Sequence, residues 1–351
     1  MSQPVKVGVI GCGVIGSRHI ADSLASNRTE LVAVADLLES YRDRVVERFQ
    51  PPKVYETGAD LIADAEIEAV VLAFPTAYRT AVAKEAFSTG KHVLLEKPVA
   101  MNSTEVKEMI AIKGDLKGGC CSCRYRLFDG TDFATQLITD GKLGQLRSIF
   151  FRDLRPIGKK PEGDLPPAWR LKRSLNGGGI LVNWSSYDLD FLLGLTGWRL
   201  APQTVFAQTW SIATEFADYI VPDSDAETHY AALIRCQDDI VINIERGEYM
   251  STQTGPISSW EVIGSRGALR MDMLQHNPCR IEHTYITDEG LQTEAIYEQV
   301  ESAYCTPIED FARAIREDQQ PKTSLENSLI VQQITDGIYD SADQRTEISI
   351  E

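Results

Sequence analysis

Residues 5–16, VKVGVIGCGVIG, decide how the rest of this chain is read. Val5 to Ile10 are mostly β-branched and predict a short buried strand. Gly11, Gly13 and Gly16 follow directly, with Val14 and Ile15 inside the turn, and Ser17 to Ala25 continue with helical character. In a strand, glycine turn and helix each glycine has a task. Gly11 permits the tight turn, Gly13 lets the backbone approach a diphosphate, and Gly16 lets the helix pack closely on the strand. Amides at the helix start then present positive potential to an anion without any lysine.

A lone glycine turn is a weak signal, and its surroundings strengthen it. A second apolar strand, Leu31 to Ala35, ends at Asp36, twenty residues beyond Gly16, where a carboxylate can accept hydrogen bonds from an adenine-ribose diol. The expected ligand is a dinucleotide. The charge of Asp36 repels a 2'-phosphate and Leu37 and Leu38 supply no cation, so NAD is favoured over NADP; Arg42 is the nearest residue that could offset this.

Helical patterns at 41–49, 58–63 and 77–89 alternate with strand patterns at 69–74 and 92–96. Residues 1–120 therefore read as an α/β Rossmann domain, a doubly wound parallel sheet. Such sheets bind ligands beyond the carboxyl ends of their strands, which puts Phe74, Pro75, Thr76, Glu96 and Lys97 at the cofactor crevice. Lys97, between an acid and a proline, is also a candidate for proton chemistry.

A length of 351 residues suits two domains. The net charge of -16 repels polyphosphate polymers, so neither nucleic acid nor an anionic membrane surface is an expected partner. No apolar run approaches a bilayer span and no secretory signal opens the chain, so a soluble, cytoplasmic protein is expected. The seven cysteines lack paired spacing, and the CCSC run at 120–123 reads as a small-residue strand. His19 reads as a helix-packing residue; His92, His229, His276 and His283 show no ligand spacing, and no metal is expected.

Residues 121–351 change character. A helix over 132–140 leads to long alternating or β-branched runs at 146–155, 204–212, 229–236, 240–248 and 260–273, which predict an α+β domain with a predominantly antiparallel sheet. After Gly177 to Gly179, the polar residues Asn183, Tyr187 and Asp190 recur at helical spacing and would share one face.

GCGVIG, Asp36, FPT at 74–76 and above all EKP at 96–98 resemble the Gfo/Idh/MocA family of sugar and polyol oxidoreductases. The resemblance runs on through residues 141–149, 169–197, 261–271 and 323–342. It implies hydride transfer between a nicotinamide and a secondary alcohol or ketone of a sugar-like substrate. It also implies Lys97 in the active site before a cis peptide bond, and a homo-oligomer, dimer or tetramer, built through the second domain. Arg124, Trp169 and Arg170 match the family's arginine and tryptophan positions near cofactor and substrate. The loop at 156–167 would carry specificity.

The chain departs from the family where many members have aspartate, histidine and aspartate on the substrate face, because here stand Asn183, Tyr187 and Asp190. A tyrosine, with a reference pKa of about 10, is a poor base at neutral pH unless a cation stabilises its phenolate, and Lys97 is the candidate. Tyr187 as proton donor to a ketone needs less help. The departure leaves two further readings: a cofactor-binding ligand sensor without turnover, and a redox-assisted glycosidase or lyase using retained NAD.

Overall fold

The computed structural model describes residues 3–163, 165, 167–253, 257–274, 277–300 and 302–350. His276 and residues 164 and 166 of the loop at 156–167 lie outside them. The chain divides into two compact units, residues 1–124 with 305–332, and residues 125–304 with 333–351.

The first unit is a six-stranded parallel sheet in the order β3-β2-β1-β4-β5-β6. Its strands are β1 (Val5–Ile10), β2 (Thr29–Ala35), β3 (Lys53–Tyr55), β4 (Ala69–Leu72), β5 (His92–Leu95) and β6 (Gly118–Cys120). The strand β4 is a continuous apolar run, and β1, β2 and β5 are apolar apart from Lys6, Thr29 with Glu30, and His92, because helices cover both faces. One face packs Ile20 of α1 (Val14–Ala25) and Val45 of α2 (Glu39–Phe49) against Val7, Val9 and Val34. The other packs Leu61 of α3 (Gly58–Ala63), Phe87 of α4 (Arg79–Ser88) and Met109 of α5 (Ser103–Lys113) against Val70, Leu72 and Leu95.

Compared with the division expected near residue 120, this unit also takes in residues 305–332. The Cys120 amide donates to the Thr323 carbonyl at 3.0 Å, so the returning segment covers the free edge of β6. Gly118 and Gly119 make room for it: a Cβ on either would meet Leu325 at 2.7 Å or Phe311 at 3.0 Å. The CCSC run is accordingly the last residue of β6 followed by a tight helical turn over Cys121–Arg126, and all seven cysteines are free thiols.

The second unit opens with α6 (Asp129–Thr139) and is built on a nine-stranded sheet in the order β14-β13-β12-β11-β7-β10-β9-β8-β15. Its strands are β7 (Leu146–Pro156), β8 (Pro202–Trp210), β9 (His229–Cys236), β10 (Val241–Met250), β11 (Ile257–Gly264), β12 (Gly267–Leu274), β13 (Asn277–Thr287), β14 (Gly290–Glu298) and β15 (Ile348–Ser349). Among the described residues of this sheet only β7 and β10 pair in parallel. The run expected over 260–273 resolves into the β11–β12 hairpin, and β13 with β14 extends the sheet beyond what was expected. One face is buried, with Trp260 stacked on Phe151 at 4.0 Å and met edge-on by Phe191 at 5.2 Å.

Phe191 belongs to α8 (Ser186–Leu195), which follows the short turn α7 (Arg173–Asn176) and a wider π-type turn over Leu181–Ser185. Every residue of α8 is buried, so it is a core helix and not the amphipathic one the polar spacing suggested. The two remaining helices are α9 (Pro307–Arg316) in the first unit, and α10 (Leu325–Gln344), which begins in the first unit and ends in the second. No helix among the described residues is long and apolar enough to cross a membrane.

Candidate active site

At the glycine turn the geometry is tight on one side and open on the other. Gly11 has φ +96°, a region favourable only to glycine, and its Cβ would lie 2.5 Å from the Ala73 carbonyl oxygen. A Cβ on Gly16 would overlap the Gly11 carbonyl. At Gly13, by contrast, a Cβ would meet nothing nearer than the Tyr41 ring at 3.9 Å. Val14 is 89% exposed and Ile15 44%. This is a cradle with open backbone and apolar walls at a helix N-terminus, and it fits the diphosphate and flanking rings of a dinucleotide.

Asp36 ties the end of β2 to this turn. Its Oδ2 accepts the Cys12 amide at 2.7 Å and its Oδ1 the Leu38 amide at 2.8 Å, which leaves lone pairs on both oxygens for a ribose diol. Arg42 turns to the backbone and donates to the carbonyls of Asp36 at 2.7 Å and Leu37 at 3.2 Å. Leu37 and Leu38 are exposed beside them. Burial, helped by the Asp36 carboxylate, pushes the Cys12 thiol up to about 12, so it stays protonated inside the turn.

The ends of β4 and β5 bring Phe74, Pro75, Thr76, Glu96 and Lys97 together around one buried cation that sequence reasoning missed, Arg79. Its Nε donates to the Phe74 carbonyl at 2.7 Å and its Nη2 to Thr76 Oγ1 at 2.8 Å, while Nη1 reaches the carbonyls of Glu96 and Pro98. Burial lowers Arg79 to about 10, with the Glu96 charge acting in the opposite direction. The Lys97–Pro98 peptide bond is cis.

Glu96 is equally buried and points back into the unit. Its Oε1 meets His19 Nε2 at 2.8 Å and Arg124 Nη2 at 2.6 Å, and its Oε2 accepts the Lys97 amide at 3.1 Å. Burial would raise this carboxyl, but Arg124 and the His19 hydrogen bond hold it well below the usual range. His19 is therefore the partner of a buried carboxylate as well as a packing residue, and Arg124 braces that carboxylate. Ligand atoms of His19, Glu96 and Cys121 lie within 4.8 Å of one another, a grouping that no sequence spacing revealed. The cation already in that grouping is the Arg124 guanidinium.

In the second unit, Tyr187 stacks on Tyr125 with ring centroids 5.1 Å apart and lies 6.2 Å from the Trp184 ring. Asn183 lies in the π-type turn that leads into α8, four residues and about one helical turn before Tyr187. Asp190 is placed differently from the expectation of a substrate-facing carboxylate: it is fully buried and pairs with Arg126 Nε at 2.6 Å. Its neighbour Asp188 is likewise buried and receives Arg246 at 2.5 and 2.9 Å. Arg170 binds the Glu248 carboxylate, which also accepts the Trp184 indole N–H at 3.0 Å, and Trp169 beside it is 42% exposed.

The three glycines before this helix answer to a carboxylate that sequence reasoning also missed. Glu227 accepts the amides of Gly179 at 3.0 Å and Leu181 at 3.1 Å and the Tyr339 hydroxyl at 2.9 Å. A Cβ on Gly178 would strike the Tyr339 hydroxyl and one on Gly179 the Glu227 carbonyl. An anion at a helix N-terminus satisfies amides that have no partner inside the helix.

Comparison with known proteins adds a family to this geometry. Residues 5–118 match a family model described as "Oxidoreductase family, NAD-binding Rossmann fold", and residues 132–270 match the "GFO/IDH/MocA C-terminal domain". The chain is 25% identical to an inositol 2-dehydrogenase of Rhizobium meliloti, with 99% of each chain covered. It is 25% identical to a scyllo-inositol 2-dehydrogenase (NAD(+)) of Bacillus subtilis over 92% of this chain and 89% of that one. In fold it is similar to a levoglucosan dehydrogenase solved with NADH and L-sorbose, with TM-score 0.85, 18% identity and full coverage of both chains. Matched in both of its halves, the chain belongs to the Gfo/Idh/MocA oxidoreductase family and carries that family's NAD-binding Rossmann fold.

Proposed function

We propose that this enzyme oxidises a secondary alcohol, or reduces the matching ketone, of a sugar, cyclitol or related polyol, with NAD as cofactor and with Lys97 and Tyr187 handling the proton. The observation that carries the reading is the open backbone at Gly13 beside the engaged but unsaturated Asp36 carboxylate, in the same unit as Lys97. The relatives described above, named as inositol dehydrogenases, support the substrate class.

A nicotinamide, when bound, supplies hydride exchange with the substrate carbon. The chain's own residues do the rest. The amides from Gly13 to Gly16, beside the exposed Val14 and Ile15 side chains, hold the diphosphate in the turn that Gly11 opens, and Asp36 accepts the ribose hydroxyls. Phe74, Pro75 and Thr76 line the strand end, and Arg124 with His19 keeps the Glu96 carboxylate ionised and fixed. Lys97 donates to the substrate oxygen and Tyr187 gives or takes its proton. Asn183 hydrogen-bonds substrate, and Trp169 with Arg170 supplies an aromatic and cationic wall. Asp190 acts through Arg126.

The test is turnover, followed by nicotinamide absorbance, on a panel of inositols, glucosides, aldoses and their keto forms with NAD and NADP. The expected result is NAD-dependent activity that Lys97→Met lowers at least a hundredfold. Tight NAD binding with no turnover on any member would favour the sensor reading instead, and substrate cleavage without net redox change the glycosidase or lyase reading. We also propose a homo-oligomer formed through the outer face of the second sheet, where Phe150, Phe206 and Leu233 are exposed among Arg152, Glu261 and Arg270. Sedimentation of wild type and Phe206→Glu tests it.

A further inference from the structure

The backbone around Lys97 is held from two directions by buried ionised side chains. On the amide side, Glu96 Oε2 accepts the Lys97 N–H at 3.1 Å, and that carboxylate is pinned by Arg124 at 2.6 Å and His19 at 2.8 Å. On the carbonyl side, Arg79 Nη2 reaches the Lys97 oxygen at 3.4 Å while Nη1 takes the oxygens of Glu96 and Pro98 on either side. Arg79 and Glu96 are 3% and 5% exposed.

Desolvating a guanidinium is expensive unless its N–H groups are all used. Here Nε, Nη1 and Nη2 each have partners, and those partners come from two separate strand ends, Phe74 and Thr76 after β4 and residues 96–98 after β5. The planar fork of arginine can bridge such a set; the point charge of a lysine cannot. The consequence is that the peptide planes before and after the Lys97 Cα are both fixed, and with them the direction in which its side chain leaves the backbone.

We propose that Arg79 and Glu96 are positioning residues for Lys97, acting together to aim its amine. The proposal rests on the reading that Lys97 acts on the substrate proton. It is tested without substrate by the rate at which acetic anhydride labels Lys97 at one fixed pH, measured by peptide mass spectrometry on the full chain, with exposed Lys107 as internal reference. Arg79→Lys and Glu96→Gln should each change the Lys97-to-Lys107 rate ratio at least threefold. In turnover, each should lower kcat at least tenfold with little change in KM, and Arg79→Lys should cost nothing further once Lys97 is methionine.

An unchanged labelling ratio in both variants overturns the proposal, as does an Arg79→Lys loss of equal size with and without Lys97. Should Arg79→Lys not fold, Glu96→Gln decides alone. If Lys97→Met keeps full turnover, the proton reading fails, while the labelling ratio still judges the positioning.

Discussion

A methyl group on Gly16 would lie 1.7 Å from the carbonyl oxygen of Gly11, a clash with backbone that no rotamer change relieves. Gly13, with φ -69° and only the Tyr41 ring within 4 Å, has room for the same methyl. Gly16→Ala should therefore destabilise the fold by about 3 kcal/mol or more. Gly13→Ala should melt close to wild type yet bind NADH at least tenfold more weakly. Thermal melts with NADH fluorescence titration separate the two, and wild-type affinity in Gly13→Ala would remove the diphosphate cradle.

Both oxygens of Asp36 are engaged by amides, so its replacement has a structural as well as a selective effect. Asparagine keeps one acceptor and turns an NH2 toward the second amide, at a cost of about 1 kcal/mol. Loss of the negative charge should shift the NADPH-to-NADH affinity ratio at least tenfold toward NADPH. Titration of both cofactors against Asp36→Asn checks this.

Glu96 gives the first unit an acid-sensitive element of predictable sign. Its folded-state pKa is held down, so its ionised form adds stability that is fully present above the unfolded value, about 4.3, and is lost as pH falls toward the folded one. The stability gap between wild type and Glu96→Gln should be widest above pH 5 and shrink steadily toward pH 3. Urea melts across that range measure it; a gap independent of pH would show that folding does not shift the Glu96 pKa, and a gap that shrinks as pH rises would show that Glu96 is not ionised in the fold.

Glu227 has the opposite sign. Burial raises its pKa in spite of the three hydrogen bonds it accepts from Gly179, Leu181 and Tyr339, so its contribution declines as pH rises from the unfolded value through the folded one. Glu227→Gln can keep the three donors on one oxygen but turns an NH2 toward the Gly179 amide, which lies 3.1 Å from the other, and should destabilise the second unit by about 1 kcal/mol. The loss should read out in near-ultraviolet dichroism of the aromatic core.

Asp190→Asn takes the carboxylate from a buried guanidinium, Arg126, and should cost about 3–5 kcal/mol in stability. NADH affinity should stay as in wild type, because Asp190 and the glycine turn belong to different units. A variant of wild-type stability that bound substrate poorly would instead return Asp190 to the substrate face.

What could be read from the sequence was what short-range spacing encodes. GxGxxG after a strand is demanded by turn geometry and an acid twenty residues on by a ribose diol, while EKP at a strand end was legible through its resemblance to a family. The β13–β14 hairpin escaped because much of β13 and most of β14 are outside the core and β14 has almost no apolar face to show a period of two.

The partners of the charged groups were decided by tertiary structure alone. Arg126 finds Asp190 64 residues away, Arg246 finds Asp188 58 away, and Glu227 closes on Gly179 48 away. The return of residues 305–332 to the edge of β6 is of the same kind. Spacing specifies a local backbone shape, but a buried charge is stable only where folding brings its counter-charge or its amides, and one sequence read alone carries no record of which pairs those are.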